Sequence, residues 1–463
     1  MHPKTDGRYL KENEIITIGK SILHKTFGQI AESSETLLNK GSFGTFIEKE
    51  VYHLKPNSRS EPDFVEAGIE LKVTPFKLNQ DESYSAKERL VLNIINYVEE
   101  AKKTFYTSSF WTKNKKLYLL FYLWESNKAQ KDFLIMFDYL LTFSDEDLII
   151  IKRDWYIIHE KIVNGKAHEI SEADTMYLAA CTKGVNKGSH RHQYESDILA
   201  KQRAYSLKTS YMTQLLRTRV TDKKEDIVRL ISDALELEKK SFEQIIYDRM
   251  RPYFGKSTKE LIKQFKIQAS KNINEIIVAR LLGVQGRVSQ TEEFLKANIA
   301  PKTIRLEEDG RMIESMSFPT FRYEEIAETD WEDSWHKDYF ESTKFMFVIF
   351  KKEKYDYELY DIKFWNMPIS VLENEFKEVW LHTQNIIRSG EIVREIKNGI
   401  FLTNFIKKSG HPLMHVRPHA QRRKDTYPLP VMDKKTGLTE YTKHCFWLNN
   451  NYVLEIIGNR KMV

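Results

Sequence analysis

The chain has 463 residues, 41% of them hydrophobic and 30% charged, with a formal net charge of +6. It is long for one core and reads as two or three globular domains, and its mild basic excess permits nucleic-acid binding without demanding it. Two cysteines, Cys181 and Cys445, exclude a disulfide framework or a cysteine zinc site, and no apolar run approaches the roughly 18–20 residues of a membrane helix.

NKGSFGTFIEKEVYHL (39–54) predicts a helix, with Phe43, Phe46, Ile47 and Val51 near one face, and PNSRSEP (56–62) a loop. FVEAGIELKVTPF (64–76) predicts a hairpin arm. SAKERLVLNIINYVEEAKK (85–103) opens on a capping box, Ser85 with Glu88, and predicts an amphipathic helix. KKLYLLFYLW (115–124) reads as a central strand, and KDFLIMFDYLLTF (131–143) carries the next. DEDLIIIKRDWYIIHEKIVNG (145–165) predicts a long helix stopped at Gly165. The class is α/β, of mixed α+β character. Residues 221–250, charged throughout, predict a helical linker between 1–220 and 251–463.

The second half repeats the first. FVEAGIELKV (64–73) aligns with FLKANIAPKT (294–303), RDWYIIHEKIVNGK (153–166) with KEVWLHTQNIIRSGE (377–391), and AYSLKTSYM (204–212) with CFWLNNNYV (445–453). In the middle pair a Trp precedes a Gly by ten residues both times, Trp155 to Gly165 and Trp380 to Gly390. Three matches in one order argue for two copies of one domain. Glu70 meets Ala300, Asp63 meets Glu293, and Glu48 meets apolar Val278 or Ala279, while Lys302 keeps the register of Lys72. The carboxylates are therefore expected to act in the first copy only.

Asp63, Glu70 and Lys72 are the candidates for chemistry. Glu70 and Lys72 lie two apart on a strand and leave the same face, and Asp63 can converge on them across the Ala67-Gly68 bend. Neighbouring carboxylates repel unless a cation neutralises them; hard oxygen ligands suit Mg²⁺, with the Leu71 carbonyl as a further ligand. Metal-activated water attacking a phosphodiester is the matching reaction, with Lys72 placing the water or offsetting charge on the phosphate. The plainer reading is an exposed strand face whose Glu–Lys pair contributes under about 1 kcal/mol. Glu48 just upstream and the lysine-rich turn TSSFWTKNKK (107–116) favour the metal.

Together, KGSFGTFIE (40–48), PDFVEAGIELKVTPFK (62–77) and KERLVLNIINY (87–97) resemble the MutH/Sau3AI group of PD-(D/E)xK endonucleases, and within it the Sau3AI-like type II restriction enzymes. The resemblance covers essentially the whole chain. It implies two tandem copies of a MutH-like PD-(D/E)xK fold, the second degenerate. It implies a Mg²⁺-dependent endonuclease that cuts both strands of DNA at 5′-GATC-3′, on the 5′ side of the G, leaving four-base overhangs. It further implies Asp63 and Glu70 as metal ligands, Lys72 as the catalytic lysine, Glu48 as the helix glutamate, and Lys113 as a lysine near the scissile phosphate. YLAACTKGVN (177–186) matches the major-groove reading loop, with Cys181-Thr182 where mismatch-repair relatives carry Arg-Pro; the second copy has Arg417-Pro418.

Lys183, Lys187, His190, Arg191 and His192 of TKGVNKGSHRHQ (182–193), with Lys87 and Arg89 upstream, are expected to contact DNA. A solvated basic loop is the alternative. Zinc is rejected, because His190 and His192 lack a third ligand at a sensible spacing. In the second copy Arg417, His419, Arg422, Arg423 and Lys424 of HPLMHVRPHAQRRK (411–424) fill the same slot and point to a second, non-cutting DNA site, against a brace or a dimer surface. The expected partners are GATC-containing duplex DNA, a second DNA copy and a dimer on DNA, with no membrane. The start MHPKTDGRYL has no signal core, so the expected setting is the bacterial cytoplasm. A MutH-like nicking enzyme and a DNA-binding protein without catalysis are the competing readings. Chain length and the duplicated half argue against the first, and the complete Asp63/Glu70/Lys72 set against the second.

Overall fold

Residues 117–123, LYLLFYL, carry no charge, and they form an inner strand buried on both faces. A computed structural model describes residues 7–31, 43–55, 61–183, 189–221, 225–231, 233–268, 270, 272–420, 422 and 424–458. Two compact units emerge: Met1–Ile245 with Ser289–Ile299, and Ile246–Val288 with Ala300–Val463. The expected linker 221–250 is not a separate piece, since its residues through Ile245 fall in the first unit. Among the described residues no helix is long and apolar enough to cross a membrane.

The first unit is mixed α/β. Its strands are β1 (Glu70–Leu78), β2 (Tyr84–Ala86), β3 (Leu90–Ile94), β4 (Lys116–Leu123), β5 (Leu134–Thr142), β6 (Leu178–Thr182), β7 (His190–Gln193), β8 (Ser196–Lys201) and β9 (Arg203–Leu207). One sheet runs β2-β1-β4-β5; β4 is parallel to β1 and antiparallel to β5. A second runs β3-β9-β6, with β9 antiparallel to both neighbours, and β7-β8 is a hairpin. Besides helical segments at Glu12–Ser21 and Phe27–Ile30, its helices include α1 (Phe43–Phe46), which continues as a π-turn at Ile47–Val51, then α2 (Tyr97–Glu100), α3 (Ser109–Asn114), α4 (Asp145–Val163) and α5 (Thr209–Leu215).

The long helix α4 forms as expected. The Ser144 side chain accepts the Asp147 amide, and Gly165, at φ +67°, supplies the left-handed residue after the helix end. Trp155 on α4 is fully buried, and Asp154 accepts the amides of Met176, Tyr177 and Leu178 at 2.7–2.9 Å, which docks the helix on the start of β6.

Two expectations fail. Residues 85–103 are not one helix but β2, β3 and the single turn α2. Leu90 and Leu92 are buried while Val91 and Asn93 are not, a period of two, and Ser85 Oγ donates to Asn79 Oδ1 instead of capping. Residues 221–250 are not helical throughout either: 225–231 is irregular, followed by α6 (Ala234–Lys239) and α7 (Phe242–Met250). The Glu293 carboxylate accepts the amides of Leu230 and Ile231, and Arg229 forks onto Glu292, so distant partners hold this stretch extended.

The second unit contains α8 (Ile273–Leu281). The chain then passes through α9 (Glu292–Ala297), which lies in the first unit, into β10 (Ile299–Leu306). Its further strands are β11 (Met316–Ser317), β12 (Lys344–Glu353), β13 (Asp356–Trp365), β14 (Val393–Lys397), β15 (Ile400–Thr403), β16 (Met414–Pro418), β17 (Thr426–Pro428), β18 (Glu440–Thr442) and β19 (His444–Leu448). They form sheets β10-β12-β13 and β11-β19-β16 and hairpins β14-β15 and β17-β18. Its helices include α10 (Lys377–Ser389) and α11 (Asn450–Ile456), around a core that includes Phe340, Phe347, Trp380 and Phe446.

In the first unit α9 is fastened by buried charge. Lys296 Nζ lies 2.8 Å from Asp147 and 2.7 Å from Glu292, over the rings of Tyr177 and Tyr211. Removing one partner of a buried pair leaves the other uncompensated. Lys296→Ala is therefore expected to cost the unit about 3–5 kcal/mol in urea unfolding; a change below about 1 kcal/mol, the range of an exposed pair, would contradict this account of α9.

Candidate active site

The site is built on one turn. Phe64 and Ile69 exchange backbone hydrogen bonds (2.9 and 3.2 Å), closing a tight reversal in which Gly68 takes φ +64°, a conformation that suits glycine. The reversal carries Asp63 back alongside the first residues of β1. The Asp63 amide donates to Glu70 Oε2, and the Leu71 amide donates to Asp63 Oδ2, both at 3.1 Å. Each carboxylate is thus oriented by the other's local backbone.

Two lysines meet the same carboxylate. Lys72 Nζ donates to Glu70 Oε1 at 2.7 Å, as strand alternation requires of residues two apart, and Lys113 Nζ from the last turn of α3 lies 3.4 Å from the same oxygen. Glu70 is only 2% exposed, so these contacts operate where water screens little. Glu48, on the π-turn after α1, completes the group and senses Lys72, Glu70 and Lys113 electrostatically.

Five side chains from three segments therefore converge: three carboxylates and two ammonium groups. The imbalance is visible in proton affinity. Burial, then repulsion from Glu70 and Glu48, pushes Asp63 up to about 7 against the opposing pull of Lys72 and Lys113. Burial likewise raises Glu48, with Lys72 opposing it. The donor set fits a hard divalent cation. Asp63 and Glu70 offer oxygens at a spot with surplus negative charge, and a cation would relieve the repulsion that now favours a proton. Among the described residues no group of three or more His, Cys, Asp or Glu forms a cage. The remaining positions would fall to a backbone oxygen, water or phosphate, the manner in which Mg²⁺ is commonly held. Leu71, between Glu70 and Lys72 in sequence, is buried in the hydrophobic core, and its amide is committed to Asp63.

The residues expected on DNA are placed less uniformly. Lys183 follows β6 and is exposed, and His190, Arg191 and His192 stand exposed on β7, where Arg191 Nε donates to Gln202 Oε1 (2.8 Å). Lys87 lies over the Trp124 ring at 4.7 Å. Arg89 is committed to an ion pair with Glu172 and so departs from the expectation of a DNA contact. In the second unit Arg417 lies over the Trp447 ring at 4.6 Å and His419 packs edge-on against it. Arg422 and Lys424 are exposed, while Lys187 and Arg423 lie outside the described residues.

Sequence reasoning missed Glu100. It looked like a solvated helix residue, yet it is buried, accepts the Ser109 amide at the start of α3, and accepts the Tyr205 hydroxyl from β9. Its partners lie 9 and 105 residues away, and no local pattern announces them.

The family model of the DNA mismatch repair enzyme MutH matches residues 52–154, a span that includes Asp63, Glu70, Lys72 and Lys113 but begins after Glu48. The chain is 36% identical to the type II restriction enzyme Sau3AI of Staphylococcus aureus, over 94% of this chain and 95% of that protein. It is 27% identical to the DNA mismatch repair protein MutH of Shewanella woodyi, over 38% of this chain and 77% of the relative.

An acid held above its free value of 3.8 stabilises the fold only while protonated. The metal-free protein is therefore expected to lose stability as pH rises from 3.8 to about 7. Asp63→Asn keeps the acceptor for the Leu71 amide and removes the charge. At about pH 8 it is expected to stabilise the metal-free protein by about 1–3 kcal/mol in thermal unfolding. An unchanged or lowered melting temperature would contradict the surplus of negative charge.

Proposed function

This chain belongs to the Sau3AI-like, MutH-related restriction endonucleases and is a site-specific deoxyribonuclease, and on that premise we propose that it makes Mg²⁺-dependent double-strand cuts at 5′-GATC-3′, on the 5′ side of the G. The observation that carries this reading is the meeting of Asp63, Glu70, Lys72, Lys113 and Glu48 in one charged cluster. Asp63 and Glu70 would hold Mg²⁺, with the Leu71 carbonyl as a further oxygen; when bound, the ion supplies an acidified water and charge neutralisation at the phosphate.

The protein's own groups do the rest. Lys72 holds Glu70 in its ligating orientation, and its ammonium stands ready to offset charge building on the phosphate. Lys113, brought by a different element, adds a second positive charge on the same side of Glu70. Glu48 approaches from the π-turn after α1, and its raised proton affinity suits a group that accepts a proton from the attacking water. Lys183, Arg191 and His192 are described candidates for DNA contact.

The second unit reads as a diverged copy that binds DNA without cutting. Several features support this. The β11-β19-β16 sheet repeats the order of β3-β9-β6. Cys181 faces Ala204 where Arg417 faces Cys445, the aligned positions. Trp155 and Trp380 are both fully buried, and Gly165 and Gly390 take φ +67° and +66°. Gly68 and Asn298, each before the aligned isoleucine, both have positive φ. Lys302 keeps the register of Lys72, half-buried and donating to the Ser317 carbonyl, but Ala300 replaces Glu70. Arg417, His419 and Trp447 form a cationic and aromatic surface suited to a second duplex.

Plasmids with and without GATC, incubated with Mg²⁺, test the reading. Cuts in both strands at GATC are expected, and Asp63→Ala or Glu70→Ala should slow them by at least ~10³-fold while sparing duplex binding. Nicking alone, or cleavage retained by these variants, would overturn it. For the second unit, Arg417→Ala is expected to reduce duplex stoichiometry from two per chain to one; two duplexes bound with unchanged affinity would contradict a role for Arg417.

A further inference from the structure

Asn93 lies on β3, where the register against β9 shifts between Val91 and Ile94. Bulges recur beside active sites. Here the Asn93 amide is tied to both ends of α3. Asn93 Nδ2 donates to Ser109 Oγ at 3.0 Å, and Asn93 Oδ1 accepts from Asn114 Nδ2 at 2.8 Å. Asn114 is fully buried and also donates to the Phe110 carbonyl at 3.0 Å, while its own side-chain oxygen has no hydrogen-bond partner. The residue is thus held by its donor side alone.

α3 has six residues, too few for an isolated helix to keep its own geometry. Its position must come from outside. Beyond Lys115 it runs into β4, and at its start the Ser109 amide donates to buried Glu100. Asn93 is bonded to both ends. Between those ends lies Lys113, 3.4 Å from Glu70.

We propose that Asn93 is a positioning residue: it fixes α3, and through α3 the Lys113 ammonium, against the β3-β9-β6 sheet. This rests on the role proposed above for Lys113. β6 of that sheet leads into Lys183 and the segment expected to read bases. Placement of the cutting lysine therefore depends on the sheet that carries the reading segment; Asn93 on β3 links the two directly, and Glu100 links them through Tyr205 of β9.

Single-turnover cleavage of a GATC duplex by the full-length protein tests this, alongside duplex affinity measured in Ca²⁺. Asn93→Ala is expected to slow cutting by at least ~10-fold, because a displacement near 1 Å has a large kinetic effect, while affinity stays within about threefold. In a Lys113→Ala background the same substitution should cost little, since residues acting through one group are not additive. Ser109→Ala, which removes one of the two ties, should show a smaller loss of the same kind and serves if Asn93→Ala does not fold. Equal cost in both backgrounds, or parallel loss of affinity and rate, would overturn the proposal. Lys113→Ala cutting at full rate would remove the Lys113 role and this inference with it. Slow Lys113→Ala beside full-rate Asn93→Ala and Ser109→Ala would remove this inference alone.

Discussion

One carboxylate oxygen, Glu70 Oε1, is shared by two lysines from different elements, and the site is organised around that sharing. Burying Glu70 to 2% exposure beside Asp63 and Glu48 is costly, because like charges in a poorly screened pocket favour protonation. Lys72 and Lys113 offset part of that cost and leave a negative remainder. A fully neutralised cluster would have no use for a metal, and an uncompensated one would not stay ionised. The two lysines hold it between those limits, and the raised proton affinity of Asp63 marks the place where a cation would replace a proton.

The fold serves this arrangement by bringing in the two lysines along independent routes. Lys72 is fixed by β1, two residues from Glu70, and needs nothing more than strand geometry. Lys113 arrives on a six-residue helix anchored by Glu100, Asn93 and the start of β4. The first lysine belongs to the strand that bears the acids; the second answers to the sheet β3-β9-β6. Such a division allows the acids to be prepared permanently while the second charge depends on another part of the molecule.

The site was legible from sequence to the extent that its contacts are local. Glu70 and Lys72 share a face by strand periodicity, and Gly68 marks the turn that returns Asp63. The uncharged run at 117–123 and the capped helix α4 were equally plain. Residues 85–103 misled because a Leu-Val-Leu-Asn-Ile-Ile run satisfies helical and strand periods alike, and the pairing with β9 decides between them. Residues 225–231 misled for a different reason: they are held by Glu292 and Glu293, more than 60 residues away. Arg89 looked like a free DNA cation because its partner Glu172 is as remote. Tertiary charge pairing overrode local propensity in both, and no local window contains that information.

The most direct test of the central claim, that Asp63 and Glu70 hold a divalent cation where burial and repulsion raise the proton affinity of Asp63, is calorimetric titration of the metal-free protein with Mg²⁺ at about pH 6.5, in two buffers of different ionisation enthalpy. The wild-type protein should bind the ion and release a measurable fraction of a proton. Asp63→Asn should bind more weakly with no proton release, and Glu70→Gln should lose binding. Identical affinity and identical proton release in the wild type and both variants would contradict it.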